Sequence, residues 1–306
     1  MAIVKNSLVS IIIPTHKGSE VILNAIDSVL KQTYKDIEII VVDDNGMGSE
    51  EQIKTAKTLE NLISDKKIKY IIHEKNKNGS AARNTGFKNS NGEYFCLLDD
   101  DDTYFPEKIE KQVNEFQQLN GDYAIVLSAT AIYQNGALQS TRKQIVDGYV
   151  FKDVLLHEIV INTNALMIRR NCYEELGGFD EEFFRHQDYE FSARVAFKWK
   201  IKSIPYIGVK YNTLHRNDPK NISIAMNYRA FFLMKMYKYM ESFSDSTKHL
   251  IIGANMCQVV GKRKVISHPI KYYKIIIYHL LQNNLNLSFS SYLGAIIYLL
   301  IHRKAA

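Results

Sequence analysis

Hydrophobic and polar positions along the first hundred residues alternate between two periods. Val9–Ile13 (VSIII) is a continuous apolar run ended by Pro14, which predicts a strand buried on both faces. Ile37–Val42 (IEIIVV), Ile68–Ile72 (IKYII) and Tyr94–Leu98 (YFCLL) repeat that pattern. Between them the period lengthens to that of a helix. Ser19 reads as the N-cap of a helix bearing Ile22, Ile26 and Val29, and further helices are predicted over Glu51–Ser64 and Gly79–Lys88. Buried strands alternating with helices specify an α/β layered domain with a mostly parallel central sheet. In such sheets ligands gather beyond the carboxyl ends of the strands, so the polar residues there carry the most information.

Further along, a helix is expected from Pro106 to Asn120, and the apolar run Ala124–Ala131 is expected to double back at the turn Gln134–Gly136. Residues 162–215 mix strand and helix, and the pattern from Ile222 to Arg303 is helical. The expected organisation is one domain over residues 1–220, with halves at about 1–105 and 106–220, and a helical region over 221–306.

Composition narrows the class. Of 306 residues 46% are hydrophobic and 24% charged, enough for a full core and incompatible with global disorder. Cys96, Cys172 and Cys257 are odd in number and widely spaced, which gives neither a disulfide framework nor a zinc spacing and points to a reducing compartment. Met1–Asn6 is polar and Leu8–Ile13 is too short for a secretory signal, so a cytoplasmic protein is expected. The net charge of +6 is uneven: no acid follows Asp245, whereas eight Lys and Arg residues do, leaving residues 1–245 at −2. That excludes a basic nucleic-acid footprint on the main domain. The tail over 266–303 is Tyr-rich and Lys-bearing, and its apolar stretch Phe289–Ile301 is too short to span a bilayer. Such helices suit an anionic membrane surface, the alternative being a helical pair packed on the main domain.

Candidate chemistry sits at three strand ends: Pro14-Thr15-His16, Asp43-Asp44-Asn45 and Asp99-Asp100-Asp101-Asp102. In an extended chain Asp99 and Asp101 point one way and Asp100 and Asp102 the other. Carboxylates crowded at a strand mouth repel one another unless a cation neutralises them, and oxygen-only ligands suit Mg²⁺ or Mn²⁺. A solvated acidic turn leading into the helix at Glu107 is the plainer alternative. A calcium loop is excluded because Tyr104 stands where a sharp turn needs glycine. Neither GxGxxG nor GxxxxGK[ST] occurs, so nucleotide phosphates would be held by side chains and a metal.

Taken together, VSIIIPTHKGSEV and IEIIVVDDNG, then GSAARNTGFKNSNGEYFCLLDDDDTYFPEKI, then GGFDEEFFRHQDYEFSARV resemble the bacterial family 2 glycosyltransferases of GT-A fold, a Rossmann-like nucleotide-diphospho-sugar transferase domain. The likeness covers about residues 7–215. It implies an inverting transferase that moves a sugar from a nucleoside-diphosphate sugar, usually a UDP-sugar, to a hydroxyl of a saccharide acceptor. Thr15 and Asp44 match positions contacting ribose and uracil, with Pro14 and Asp43 beside them. His16 stands where the family usually stacks a Tyr on the base. Arg83 matches a position near the diphosphate, the plainer alternative being an ion pair with an acid of the Asp99–Asp102 run. Asp99-Asp100-Asp101 corresponds to the DxD motif, with Asp101 and Asp99 implied as metal ligands and Asp99 or Asp100 reaching ribose or metal-bound water. His215 matches a further metal ligand of some relatives. Asp188 matches the catalytic base, although Gln187 replaces the Glu that commonly precedes it. Gly177, Gly178, Phe179 and Asp180, with Gln187, fall on the acceptor side. Phe184, Asp188, Phe191 and Val195 share helical spacing, so Asp188 is expected on an apolar stripe whose burial raises its pKa.

The implied setting is surface-polysaccharide synthesis on a lipid-linked acceptor, by a peripheral enzyme at the inner face of the membrane. A homo-oligomer is compatible with it. The competing reading is a catalytically inactive sugar-nucleotide-binding or membrane-scaffold homologue. A sugar-nucleotide pyrophosphorylase would need a glycine-rich basic loop that PTHKGSEV lacks.

Overall fold

The computed structural model describes residues 7–213 and 222–260, which group into two compact units. The first comprises residues 7–150 and 161–213; the second comprises 151–160 and 222–260.

The first unit opens with β1 (Val9–Thr15), α1 (Ile22–Leu30), β2 (Ile37–Asp43), α2 (Glu50–Ser64), β3 (Lys69–Ile72), α3 (Gly79–Lys88) and β4 (Tyr94–Leu97). It continues through β5 (Thr103–Tyr104), α4 (Lys108–Phe116), β6 (Tyr123–Gln134), β7 (Ala137–Arg142) and β8 (Asp147–Gly148). After α5 (Phe151–Leu155), which belongs to the second unit, come β9 (Leu166–Arg169), α6 (Arg170–Leu176), α7 (Gln187–Lys198) and β10 (Lys200–Asn212). The sheet order is β3-β2-β1-β4-β9-β6-β10-β5, with β7 on β6 and β8 on β10. Strands β3, β2, β1 and β4 are parallel, as are β6 and β10, while β9 runs antiparallel between β4 and β6.

The continuous apolar runs are explained by burial on both faces. Ile11 and Ile13 pack with Ile22, Ala25, Ile26 and Val29 of α1, while Ile40 and Val42 of β2 pack with Ala82 of α3. Fully burying such side chains contributes about 1.5–3 kcal/mol each. Ser19 caps nothing: the helix starts at Ile22 with Val21 as N-cap, and the Gly18 carbonyl accepts from both the Val21 and Ile22 N–H groups. Pro14 does not end β1 either. It stays in register with Val42 because its missing N–H lies on the β4 side, where the ladder has already stopped at Leu97. The helix after Pro106 closes at Phe116, short of Asn120. The turn at Asn135-Gly136 joins β6 to β7 as expected, with φ of 51° and 77°, the pairing a tight hairpin requires.

In the second unit, α8 (Ile222–Tyr237), α9 (Asp245–Val260) and α5 meet around a polar cluster. Asn255 Nδ2 donates to the carbonyls of Leu155 and Ile251 at 2.7 and 2.9 Å. His157 Nε2 lies 2.9 Å from Asn255 Oδ1, and burial beside Arg229 lowers the His157 pKa to about 4. Among the described residues no helix is long and apolar enough to cross a membrane. The tail over 266–303 lies outside the described residues.

Candidate active site

Parallel pairing of β2, β1 and β4 brings their carboxyl ends side by side. A cleft of about 300 Å³ opens there, lined by Pro14, Thr15, His16, Asp44, Gly79, Ala82, Arg83, Asp99, Asp100 and Asp101. Eight of the residues singled out from sequence therefore share one cavity. Asp43 does not line it: Asn45 and the Tyr70 hydroxyl occupy its buried carboxylate. Asp44 is held by His73 and by the N–H groups of Lys77 and Asn78. His16 Nδ1 lies 3.0 Å from Asn76 Nδ2 and 3.2 Å from the Asp44 carbonyl.

The four aspartates do not alternate as an extended chain would. The Asp102 N–H bonds the Asp99 carbonyl at 3.1 Å, which makes residues 99–102 a turn. Asp99, Asp100 and Asp101 consequently all line the cleft, while Asp102 is buried. Asp100 accepts the Thr15 hydroxyl at 2.6 Å, a contact that needs Gly18, since a β-carbon there would stand 1.9 Å from Asp100 Oδ2. Two asparagines support the turn from outside the expected set. Asn164 Nδ2 donates to both Asp99 and Asp102, and the Asn212 N–H donates to Asp102 at 2.7 Å. Nothing local in the sequence marks either residue, because their role depends on strands brought together only by folding.

Burial, reinforced by neighbouring acids, raises Asp100 to about 6 and Asp102 to about 9. Both exceed 3.8, the ordinary carboxyl value, so the folded state holds these protons more tightly than the unfolded chain. Chelated protein is therefore expected to lose stability as pH rises from about 4 through 6 and on toward 9. Thermal melts in chelator between pH 4 and 9 check this; a flat or rising profile contradicts it.

Arg83, 7% exposed, gives Nη2 to Asp99 at 2.8 Å, while its Nε and Nη1 are buried with no hydrogen-bond partner among the described residues. A guanidinium with two unpartnered nitrogens on a cleft wall is suited to a phosphate. Among the described residues no three metal-ligating side chains converge. A hard divalent ion can be held by one or two carboxylates and completed by substrate phosphates, and Asp99 and Asp101 both line the cleft.

Gln187 brings the second half of the domain to this cleft. Its Nε2 and Arg83 Nη1 come within 3.2 and 3.0 Å of where a Gly79 β-carbon would stand. Asp188 follows in the first turn of α7, half-buried. The expected apolar stripe is only partly present: Phe191 and Val195 are buried, but Phe184 precedes the helix and is 67% exposed. In the same helix, burial raises the carboxyl of Glu190, which Arg194 grips. Gly177 and Gly178 have φ of 79° and 78°, and a β-carbon on Gly178 would stand 2.6 Å from Asn84 Oδ1. Phe179 is core, stacked on Phe191 at 4.2 Å, and Asp180 accepts the Glu182 N–H at 3.0 Å. His215 lies outside the described residues.

This loop is clamped from two helices. Asn84 of α3 accepts the Phe179 N–H and donates to its carbonyl, while Arg194 of α7 donates to the carbonyls of Leu176 and Gly178. Arg194→Ala would strand Glu190 in the core, and urea unfolding is expected to show a loss of about 3–5 kcal/mol. A loss under about 1 kcal/mol, the range of exposed pairs, would contradict the clamp.

Comparison with known proteins agrees with this architecture. The chain is 38% identical over 191 residues to the uncharacterized glycosyltransferase RP339 of Rickettsia prowazekii, covering 60% of this chain and 57% of the relative. The amylovoran biosynthesis glycosyltransferase AmsB of Erwinia amylovora is 27% identical over 243 residues, covering 74% and 77%. The structure of S. aureus TarS 1-349 in complex with UDP-GlcNAc superposes with a TM-score of 0.63 at 14% identity, covering 90% of each chain. The mannosyltransferase PcManGT of Pyrobaculum calidifontis, in complex with GDP-Man and Mn²⁺, superposes at 0.56 and 12%, covering 98% and 89%. These likenesses establish a mixed, mostly parallel GT-A-like fold. The family model for glycosyl transferase family 2 matches residues 10–177, from β1 through the cleft to the end of α6. With more than half its length so matched, this chain belongs to glycosyl transferase family 2.

Proposed function

We propose that the protein is an inverting glycosyltransferase that takes a UDP-sugar as donor and a saccharide hydroxyl as acceptor. The observation that carries this reading is Arg83, which lines the aspartate-rimmed cleft and whose Nε and Nη1 are buried without a hydrogen-bond partner among the described residues. Arg83 binds the diphosphate; Thr15, His16 and Asp44 hold the nucleoside at the ends of β1 and β2. Asp101 and Asp99 would hold Mn²⁺ or Mg²⁺, which when bound supplies positive charge against the leaving diphosphate. Asp188 takes the proton of the acceptor hydroxyl, whose oxygen attacks the anomeric carbon on the face opposite the nucleotide. Attack from that face inverts the configuration.

The likeness to AmsB supports surface-polysaccharide synthesis as the setting, with a lipid-linked acceptor at the membrane. The basic tail supports a peripheral attachment.

Calorimetric titration of UDP with Mn²⁺, and again in chelator, tests the donor site. Saturable binding is expected, and Arg83→Ala is expected to weaken it by about tenfold or more, the scale of a lost charged hydrogen bond. Absence of UDP binding under both conditions would remove the UDP assignment.

A further inference from the structure

His73, just after β3, is 4% exposed and lies behind the cleft wall rather than on it. Its Nδ1 stands 2.7 Å from Asp44 Oδ1 and its Nε2 stands 2.9 Å from Thr85 Oγ1. A carboxylate offers only lone pairs, so Nδ1 carries a proton and donates to Asp44, while Nε2 makes the hydrogen bond to the Thr85 hydroxyl. Asp44 takes two more hydrogen bonds, from the Lys77 N–H at 2.8 Å on Oδ1 and the Asn78 N–H at 3.0 Å on Oδ2. Three of its roughly four acceptor positions are thus filled, leaving one on Oδ2 for an incoming N–H donor. Thr85 lies two residues beyond Arg83 in α3. One imidazole therefore bridges the carboxylate at the nucleoside end of the cleft and the helix that presents the guanidinium.

We infer that His73 is a positioning residue for donor recognition, fixing the Asp44 carboxylate for the nucleobase and tying it to α3. This rests on the donor-site reading above. The role differs from filling space, because it requires a hydrogen-bond donor at the Nδ1 position. Asn offers an N–H near that position, whereas Gln offers one near Nε2.

The test titrates UDP and, separately, inorganic pyrophosphate into wild type, His73→Asn, His73→Gln and Asp44→Asn, all with Mn²⁺. His73→Gln is expected to weaken UDP roughly tenfold, as loss of a hydrogen bond to a charged group does, while pyrophosphate binding stays at the wild-type level. His73→Asn is expected to retain most of the UDP affinity. Unchanged UDP binding in His73→Gln, an equal UDP loss in His73→Asn, or a parallel loss of UDP and pyrophosphate would each overturn the inference. If Asp44→Asn binds UDP like wild type, the base contact itself falls, and the role of His73 with it. A loss in Asp44→Asn with none in His73→Gln rejects the positioning role alone.

Discussion

Asp188→Asn is expected to lower turnover about 10²–10⁴-fold, the range for loss of a general base, with UDP affinity unchanged. The substitution keeps the side chain's size and a carbonyl oxygen but removes the ability to accept a proton near neutral pH. Asp188 is the second residue of α7, next to Gln187, whose Nε2 lies against Gly79 of the cleft wall. The measurement is release of UDP from the UDP-sugar the wild type consumes, alongside a UDP titration of the variant. Undiminished release would deny Asp188 the role of base. Tight UDP binding by a wild type that turns over no nucleotide sugar would instead favour the inactive homologue, for which Gln187 is the sequence argument.

The donor half was legible because its signals are local. Strands buried on both faces read as unbroken apolar runs, so β1 to β4 and the polar residues at their ends follow directly, and the helical period marks α3 over Gly79–Lys88. Local pattern misleads where tertiary context overrides it. Alternation of Asp99 to Asp102 assumes an extended chain, whereas the Asp102-to-Asp99 hydrogen bond bends these residues into a turn that buries Asp102 most deeply. The stripe through Phe184 assumes that α7 begins before it, but the helix starts at Gln187 after His186, which adopts φ of 62°. Asn164, Asn212 and His73 were invisible for another reason. An Asn or His reads the same in sequence whether it fills space or braces a carboxylate; only the partner's position distinguishes the two.

Asp101→Ala is expected to give a crossed result. In chelator the cluster of Asp99, Asp100 and Asp101 opposes the diphosphate through like-charge repulsion, so removing one carboxylate should leave UDP affinity unchanged or raise it. With Mn²⁺ the order should reverse. The wild type gains affinity, and the variant should lose that gain by at least the roughly 10–100-fold that even outer-shell substitutions cost metal sites. The backbone at this residue is fixed independently of the carboxylate, because the Asn212 amide donates to the Asp101 carbonyl at 2.6 Å. Collapse of the turn is therefore not the expected consequence, and thermal melts of the chelated variant should match or exceed the wild type. A general electrostatic role for Asp101 predicts a gain in UDP affinity with and without metal. A ligand role predicts opposite signs in the two conditions. Equal Mn²⁺ enhancement in variant and wild type would move the ion to other residues and leave Asp101 as one more negative wall of the cleft.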